Sequence, residues 1–380
     1  MKNIQKPWFI IVLLFAVLAG VELFTCYQAG VTFEKKLRDF NNELSSKSNE
    51  PNSIKLTDLE IESGLFSSKA TAKINIFTMA STNVYSFPIS VQTTQGLMPN
   101  LSVLRANWTM GVPSDPELQQ IFLKLNDTQP LSGNLQFNIS GELTLSETKI
   151  APAHGKISVD SEDLSFDWDG ANVRIENANF YDNGGGSIKI NSHFEPIKLA
   201  SSTQGSAIQI GALDIGQKTT GFVSSNNSEV NLHLGKSEFT FSNLELNLTN
   251  VDLKANIKSR LDEVLNNKNV SGLDKKSVFI DLQTFQISLG QPTGNINATG
   301  RFDLPLLSTQ DQSQPFVILE KYSQQSVIDL NLSGSKILLQ QFLGENFLSQ
   351  YVNSVEPNGD VTITINFKQG HLTVNGQQIL

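Results

Sequence analysis

Polar and apolar residues alternate with a period of two through most of this chain. Asn134-Leu-Gln-Phe-Asn-Ile-Ser140 sends every second side chain to one face, Gly141 turns the chain, and Glu142-Leu-Thr-Leu145 resumes the alternation. That pattern marks strands with one buried face. It recurs over Lys69–Ile76, Lys156–Val159, Leu164–Trp168, Val173–Ile175, Ser187–Ile190, Ala207–Ile210, Val230–Leu234, Phe239–Leu248, Val278–Leu289, Gly294–Phe302, Val327–Leu332 and Asp360–Phe367. Asp182-Asn-Gly-Gly-Gly186 and Asn375-Gly376 supply residues that tolerate positive φ between such segments. The pattern predicts a mostly β fold with a few helices (α+β), built on one large, antiparallel, twisted sheet.

Helical spacing appears in a few places. Ser114-Asp-Pro-Glu117 reads as a capping box with proline near the helix start, followed by Leu118, Ile121, Phe122 and Leu125. Leu253, Ile257, Leu261 and Leu265 recur every four residues among Lys258, Arg260, Asp262 and Glu263, which predicts an amphipathic helix over Leu253–Leu265. A third helix is expected over Lys336–Val352, with Ile337, Leu338, Phe342, Phe347, Leu348 and Tyr351 apolar.

The amino-terminal pattern is different. Lys2 and Lys6 precede a run from Trp8 to Val21 that is apolar or small throughout, and Leu23-Phe24-Thr25 extends it past Glu22. The shorter run suits an export signal, with Val17-Leu18-Ala19 before Gly20 as a cleavage site; the longer one, about eighteen residues, is just enough to span a bilayer. The expectation is a retained transmembrane anchor over Trp8–Thr25, with residues 1–7 in the cytoplasm. Residues 26–53 then form a membrane-proximal helix over Phe33–Leu44 and a polar linker, and residues 54–380 one β-rich domain outside the membrane.

Composition narrows the function. The net charge is −9, and the exported part is rich in Asn, Ser, Thr, Gln and Gly. It lacks the basic field that nucleic-acid binding requires, so the expected partners do not include nucleic acid. Cys26 is the only cysteine, which excludes an internal disulfide and any multi-cysteine metal site. Leu23-Phe24-Thr25 is a poor lipobox before it, and the plain reading is a small apolar residue finishing the span.

Candidate chemistry is sparse. Gly211-Ala-Leu-Asp-Ile-Gly216-Gln-Lys218-Thr219 is one residue from a phosphate loop, but Gln217 separates glycine from lysine, so a strand end and turn is the better reading. His154, His193, His233 and His371 show no pairing at ligand spacing. Asp160, Glu162, Asp163, Asp167 and Asp169 lack the glycine and terminal glutamate of an EF-hand loop and read as a solvated strand face. There is no Gly-x-Ser-x-Gly nucleophile turn. Asn107-Trp-Thr109, Asn138-Ile-Ser140 and Asn247-Leu-Thr249 are chance triplets in an Asn-rich and Ser-rich chain. No catalytic, cofactor-binding or metal-ligating residue is assigned, and no cofactor is expected.

Tyr27-Gln-Ala-Gly30, followed by Glu34 and Leu37, and Gly64-Leu-Phe-Ser-Ser68 before a strand resemble the YdgA-like proteins of Gram-negative bacteria. Phe87-Pro88, Leu97-Met-Pro99 and the closing Gln369-Gly-His-Leu-Thr-Val-Asn-Gly-Gln377 are similar as well. The resemblance implies an inner-membrane anchor, single-pass, a β-rich periplasmic domain and self-association; it brings no activity to transfer. Two functions fit. The first choice is a non-catalytic envelope scaffold, acting as a homodimer or on an envelope protein partner through strand edges. The alternative is a lipid carrier with an apolar groove in the sheet. They differ in whether Leu135, Phe137, Ile139, Leu244, Leu246 and Leu248 pack against helices or face a cavity.

Overall fold

The alternating segments are strands, and they pair with their sequence neighbours. The computed structural model describes residues 22–39, 41–42, 54–77, 84–96, 102–116, 119–120, 129–138, 140, 142–159, 162–181, 184–201, 206–221, 225–241, 244–260, 277–291, 294–305, 323–344, 350, 352 and 359–379. They fall into two units, one of Met1–Lys156 with Asp169–Asn179 and one of Ile157–Trp168 with Phe180–Leu380.

In the first unit β1 (Ile54–Ser63), β2 (Ser67–Phe77), β3 (Val84–Gln95), β4 (Ser102–Met110), β5 (Leu131–Asn138) and β6 (Leu143–Ile150) form an antiparallel meander. The chain continues through β7 (Ala153–Val159) and β8 (Glu162–Trp168), and β9 (Ala171–Tyr181) then pairs with β6 from Ile150↔Ala171 to Leu145↔Glu176. The β5–β6 turn follows the chemistry expected of it, with Asn138 Oδ1 accepting from the backbone N–H of Ser140 (3.0 Å) and Glu142 (2.9 Å). Register aligns Ser68↔Thr93↔Ala106↔Leu135 and Gln95↔Leu104↔Phe137, so these side chains share one face. A bulge between Ser102 and Leu104 adds Val103 beside them.

A helix, α1, runs through residues 22–39 and lies on that face. This corrects the expected transmembrane helix. Residues 8–21 lie outside the described residues, while residues 22–25 belong to a helix that continues to residue 39, with Thr25 and Cys26 buried against the sheet. Among the described residues no helix is long and apolar enough to cross a membrane. Within the described helix Glu22, Gln28, Glu34 and Lys35 interrupt the apolar run that a span needs, and of the expected span itself only residues 22–25 are described. The helix expected from Phe33 is real, and among the described residues it already runs from residue 22, about three turns before Phe33.

The second unit is a meander of long, bent strands. β10 (Gly184–Phe194) and β11 (Ile197–Ser201) are two halves of one, as are β12 (Ala207–Ile210) with β13 (Leu213–Gly221), and β14 (Ser225–Leu234) with β15 (Ser237–Phe241). Register carries through each break: Phe194 pairs with Leu213 and Ile197 with Ile210; Leu213 pairs with Leu234 and Gln209 with Glu238. β16 (Leu244–Arg260) is unbroken and pairs with β15 through Leu248 and with β14 from Val251. The breaks form a crease. There Ser237 Oγ accepts from Gly211 N–H (2.9 Å) and donates to the Gly235 carbonyl (3.1 Å). A side chain at Gly211 would meet the Lys236 carbonyl at 2.4 Å, so the crease closes only over glycine.

β16 corrects the helix expected over Leu253–Leu265. Val251, Leu253, Ala255 and Ile257 alternate with Asp252, Lys254, Asn256 and Lys258, and a spacing of four satisfies a strand as well as a helix; residues 261–265 lie outside the described residues. The unit ends with β17 (Ser277–Gln291), β18 (Gly294–Pro305), β19 (Val327–Ser335), α2 (Lys336–Leu343), β20 (Asp360–Lys368), β21 (His371–Val374) and β22 (Gln377–Gln378). Leu338 and Leu339 of α2 close a core with Leu289, Ile296, Val361, Ile363 and Val374. α2 is the first half of the helix expected over Lys336–Val352: it ends at Leu343, before Gly344 at φ +88° with its N–H on the Gln340 carbonyl, and Phe347, Leu348 and Tyr351 lie outside the described residues. Ile337 points outward, contrary to expectation. Asn375 and Gly376 both have positive φ, as expected of the last hairpin turn. Of the capping-box helix, Gln119 N–H donates to the Asp115 carbonyl (2.8 Å), while Glu117, Leu118, Ile121, Phe122 and Leu125 lie outside the described residues.

Candidate functional site

α1 presents two small pairs one turn apart, Thr25-Cys26 and Ala29-Gly30, and these let its backbone approach the sheet. Gly30 sits over Gln95, where a Cβ would come within 3.0 Å of the side-chain amide. Beside it Gly96 adopts φ +131°, a conformation costly for any other residue, and a side chain there would strike Glu22. Gln95 is buried and organises the joint. Its Nε2 donates to the carbonyls of Gly64 (3.1 Å) and Leu65 (2.8 Å), and its Oε1 accepts from Ser68 Oγ (2.7 Å). Thr93 Oγ1 accepts from Ser68 N–H (2.9 Å). Cys26, 0% exposed, directs its thiol to the Gln95 carbonyl at 3.5 Å. Burial, then the charge of Glu22, pushes the thiol pKa up, so Cys26 stays protonated. It is a buried contact between the helix and the sheet.

Further along α1, Ser63 Oγ donates to Glu34 Oε2 (2.7 Å) and Arg38 Nη2 to Glu34 Oε1 (3.0 Å). Ser63, then Arg38, holds the Glu34 carboxyl below its ordinary range. The segments around Tyr27–Gly30, Glu34 and Gly64–Ser68, far apart in sequence, thus meet at one seam along one side of α1.

The other side of α1 does not close on the sheet. A cavity of about 640 Å³ remains there. Its floor is Val91, Val103, Leu104, Ala106, Leu135 and Phe137, its roof Thr25, Gln28, Ala29, Thr32, Phe33 and Leu37, and Phe24, Lys36, Asn138 and Ser140 complete the lining. Small residues face each other across it, Ala29 above and Ala106 below, where larger side chains would have met. The charge available to a ligand is the ammonium of Lys36.

The structure sorts the six residues that distinguish a packed sheet from an open one. Leu135 and Phe137 face the cavity. Leu248 packs into the α2 core, Leu246 is exposed, and Ile139 and the Leu244 side chain lie outside the described residues. Sequence reasoning missed Gln95, Val91, Val103 and Ala106. The signals were present, as Val91-x-Thr93-x-Gln95 and Leu104-x-Ala106-x-Trp108 alternate like the other strands.

The remaining candidates stay apart. Gly211 lies at the crease and Leu213–Gly221 is strand, so no phosphate loop forms. His154 lies 3.7 Å from Asp169. His193 and His233 each hold a cross-strand aspartate at 2.6 Å, Asp214 and Asp252. Asp163 and Asp167 lie along β8, with Asp160 outside the described residues. Among the described residues no three His, Cys, Asp or Glu side chains converge as metal ligands.

A family model described as bacterial protein of unknown function (DUF945) matches residues 4–284. The chain belongs to this DUF945 family. The matched segment of this DUF945 protein contains α1, the Gln95 seam and every residue of the cavity; the α2 core lies largely beyond it. No curated protein and no solved structure matches the chain, and no named relative carries the narrower YdgA-like resemblance.

Proposed function

We propose that this DUF945 protein binds the acyl chain of a lipid in the cavity between α1 and the sheet of its first unit. One observation carries the reading: the inward face of β3, β4 and β5 meets open, apolar-lined space of about 640 Å³ where a helix could have packed. That volume falls within the roughly 300–1,000 Å³ of small-molecule sites. Apolar lining favours a hydrocarbon chain by the area it removes from water, and Lys36 supplies a cation for a carboxylate or phosphate head. A scaffold role fits the strand pattern equally well but leaves the cavity without a purpose, so lipid handling displaces it. The role is binding rather than catalysis, and a location in the bacterial envelope suits it.

Native mass spectrometry and lipid extraction of the full chain purified from cells test this. Stoichiometric phospholipid or fatty acid is expected, and Ala106→Trp, which fills the cavity from its floor, should abolish it while leaving the circular dichroism unchanged. Lipid-free wild-type protein would overturn the reading.

A further inference from the structure

The large apolar side chains left exposed in the first unit gather along one edge. Leu23, Tyr27 and Val31 recur every four residues along α1, with Phe24 beside them, and Leu65 and Phe66 occupy the turn between β1 and β2. Phe24 is 63%, Tyr27 58% and Phe66 56% exposed. Among the described residues the other exposed large apolar side chains, Leu246 and Ile337, belong to the second unit. The stripe and the turn lie together because the Gln95 amide holds the Gly64 and Leu65 carbonyls on the side of α1 that carries Gly30, and Ser63 is bonded to Glu34 on the same side.

Apolar and aromatic groups concentrated in this way mark an interaction site. Two features identify the occupant. Phe24 belongs both to this patch and to the lining of the cavity, so whatever covers the patch also borders the entrance. Lys35 and Lys36 follow on the same helix, both exposed, beside the Glu34–Arg38 pair and Asp39, in a protein of net charge −9. Aromatic and aliphatic groups flanked by lysines suit the boundary between headgroups and acyl chains of a bilayer that contains anionic lipid. A lipid also has to leave a membrane to reach the cavity, so the choice of occupant rests on the acyl-chain reading above.

We propose that the edge formed by α1 and the β1–β2 turn seats the protein on the surface of a lipid bilayer. The side chains enter the headgroup region and the helix lies along it without crossing, with the cavity bordering the lipid.

The test places a tryptophan at Leu65→Trp or Phe66→Trp in the full chain, with Lys149→Trp at the opposite end of the same meander as control. Each is mixed with vesicles of phosphatidylethanolamine and phosphatidylglycerol carrying brominated acyl chains, and the signal of the parent's tryptophans is subtracted. Fluorescence at residues 65 and 66 is expected to be quenched severalfold more than at residue 149. Equal quenching at all three positions, or none, overturns the proposal. Self-cross-linking of Phe66→Cys without quenching at residue 66 also overturns it and assigns the patch to a second copy of the chain. The two readings fail separately: co-purified lipid without quenching removes the docking surface and keeps the cavity, whereas quenching by a lipid-free protein does the reverse.

Discussion

Four titratable side chains of the second unit form a row across four strands. His193, Asp214, His233 and Asp252 are direct cross-strand partners on β10, β13, β14 and β16. Asp214 is bonded to His193 Nδ1 at 2.6 Å, and Glu195 lies 3.3 Å from its Nε2. The bond to Asp214 raises the His193 pKa above its ordinary 6.5, with Glu195 adding to it. Asp252 titrates below its ordinary 3.8, held by His233 first and then by Asn250. The two shifts act at opposite ends of the pH scale. His193 stabilises the fold below the unfolded-state pKa, and that contribution disappears as pH rises through its raised folded value. Asp252 stabilises it above the unfolded carboxylate pKa and loses its effect as pH falls through the depressed folded value. All four side chains are at least a third exposed, so salt screens these effects. Replacing Asp214→Asn should bring the His193 midpoint down toward 6.5, with Glu195 retaining part of the elevation. The His193 ring resonances followed by NMR across pH measure this, and an unmoved midpoint would show that Asp214 is not the cause.

At the scale of elements, sequence periodicity was legible wherever its two candidate periods disagree. Asn134–Ser140 has apolar residues at every second position and no helix satisfies it, so β5 is found where expected. Leu253 and Ile257 are four apart, which suits both periods, and only their neighbours Val251 and Ala255 show that β16 is a strand. The breaks within β10–β11 and β14–β15 were not legible, because a bend that keeps register leaves alternation intact on both sides. The floor of the cavity was legible as strand but not as cavity: Leu135 and Phe137 alternate identically whether a helix or open space lies above them. α1 was hidden by its own small residues, which read as the outer end of a span. Adjacent residues of α2 show the same limit. Ile337 and Leu338 are both apolar in sequence, yet Ile337 is 62% and Leu338 0% exposed. Leu338→Ala should therefore destabilise the second unit by about 2–5 kcal/mol through lost contacts and a cavity. Ile337→Ala should stay within about 0.5 kcal/mol. Denaturant midpoints of the two variants decide between this arrangement and a rotated helix, in which the two costs would exchange.

The whole molecule joins a unit with an apolar cavity to a unit with a filled core, and ligand should act on them differently. Binding to the native state alone stabilises by about 2.7 kcal/mol when free ligand exceeds the dissociation constant a hundredfold. An acyl chain held between α1 and β3–β5 contacts only residues of the first unit, so that gain belongs to the first unit's unfolding equilibrium. The second unit draws its stability from the cluster around Leu338, Leu339, Val361 and Ile363, which the ligand does not touch. Two tryptophans report the units separately. Trp108 packs over Gly133 in the first, and Trp168 donates from Nε1 to the Glu195 carbonyl (3.1 Å) in the second. With Trp8→Phe and Trp168→Phe together leaving Trp108 as reporter, and Trp8→Phe and Trp108→Phe leaving Trp168, thermal unfolding of delipidated protein should show the Trp108 midpoint rising by several degrees on addition of a long-chain fatty acid. The Trp168 midpoint should not move. If both midpoints rose together, the ligand would be acting on the fold as a whole; if neither rose, the cavity would not be a binding site. Ala106→Phe supplies the converse without adding a tryptophan: it fills part of the same volume covalently, so its Trp108 transition should lose most of its response to fatty acid while the Trp168 transition stays that of the parent.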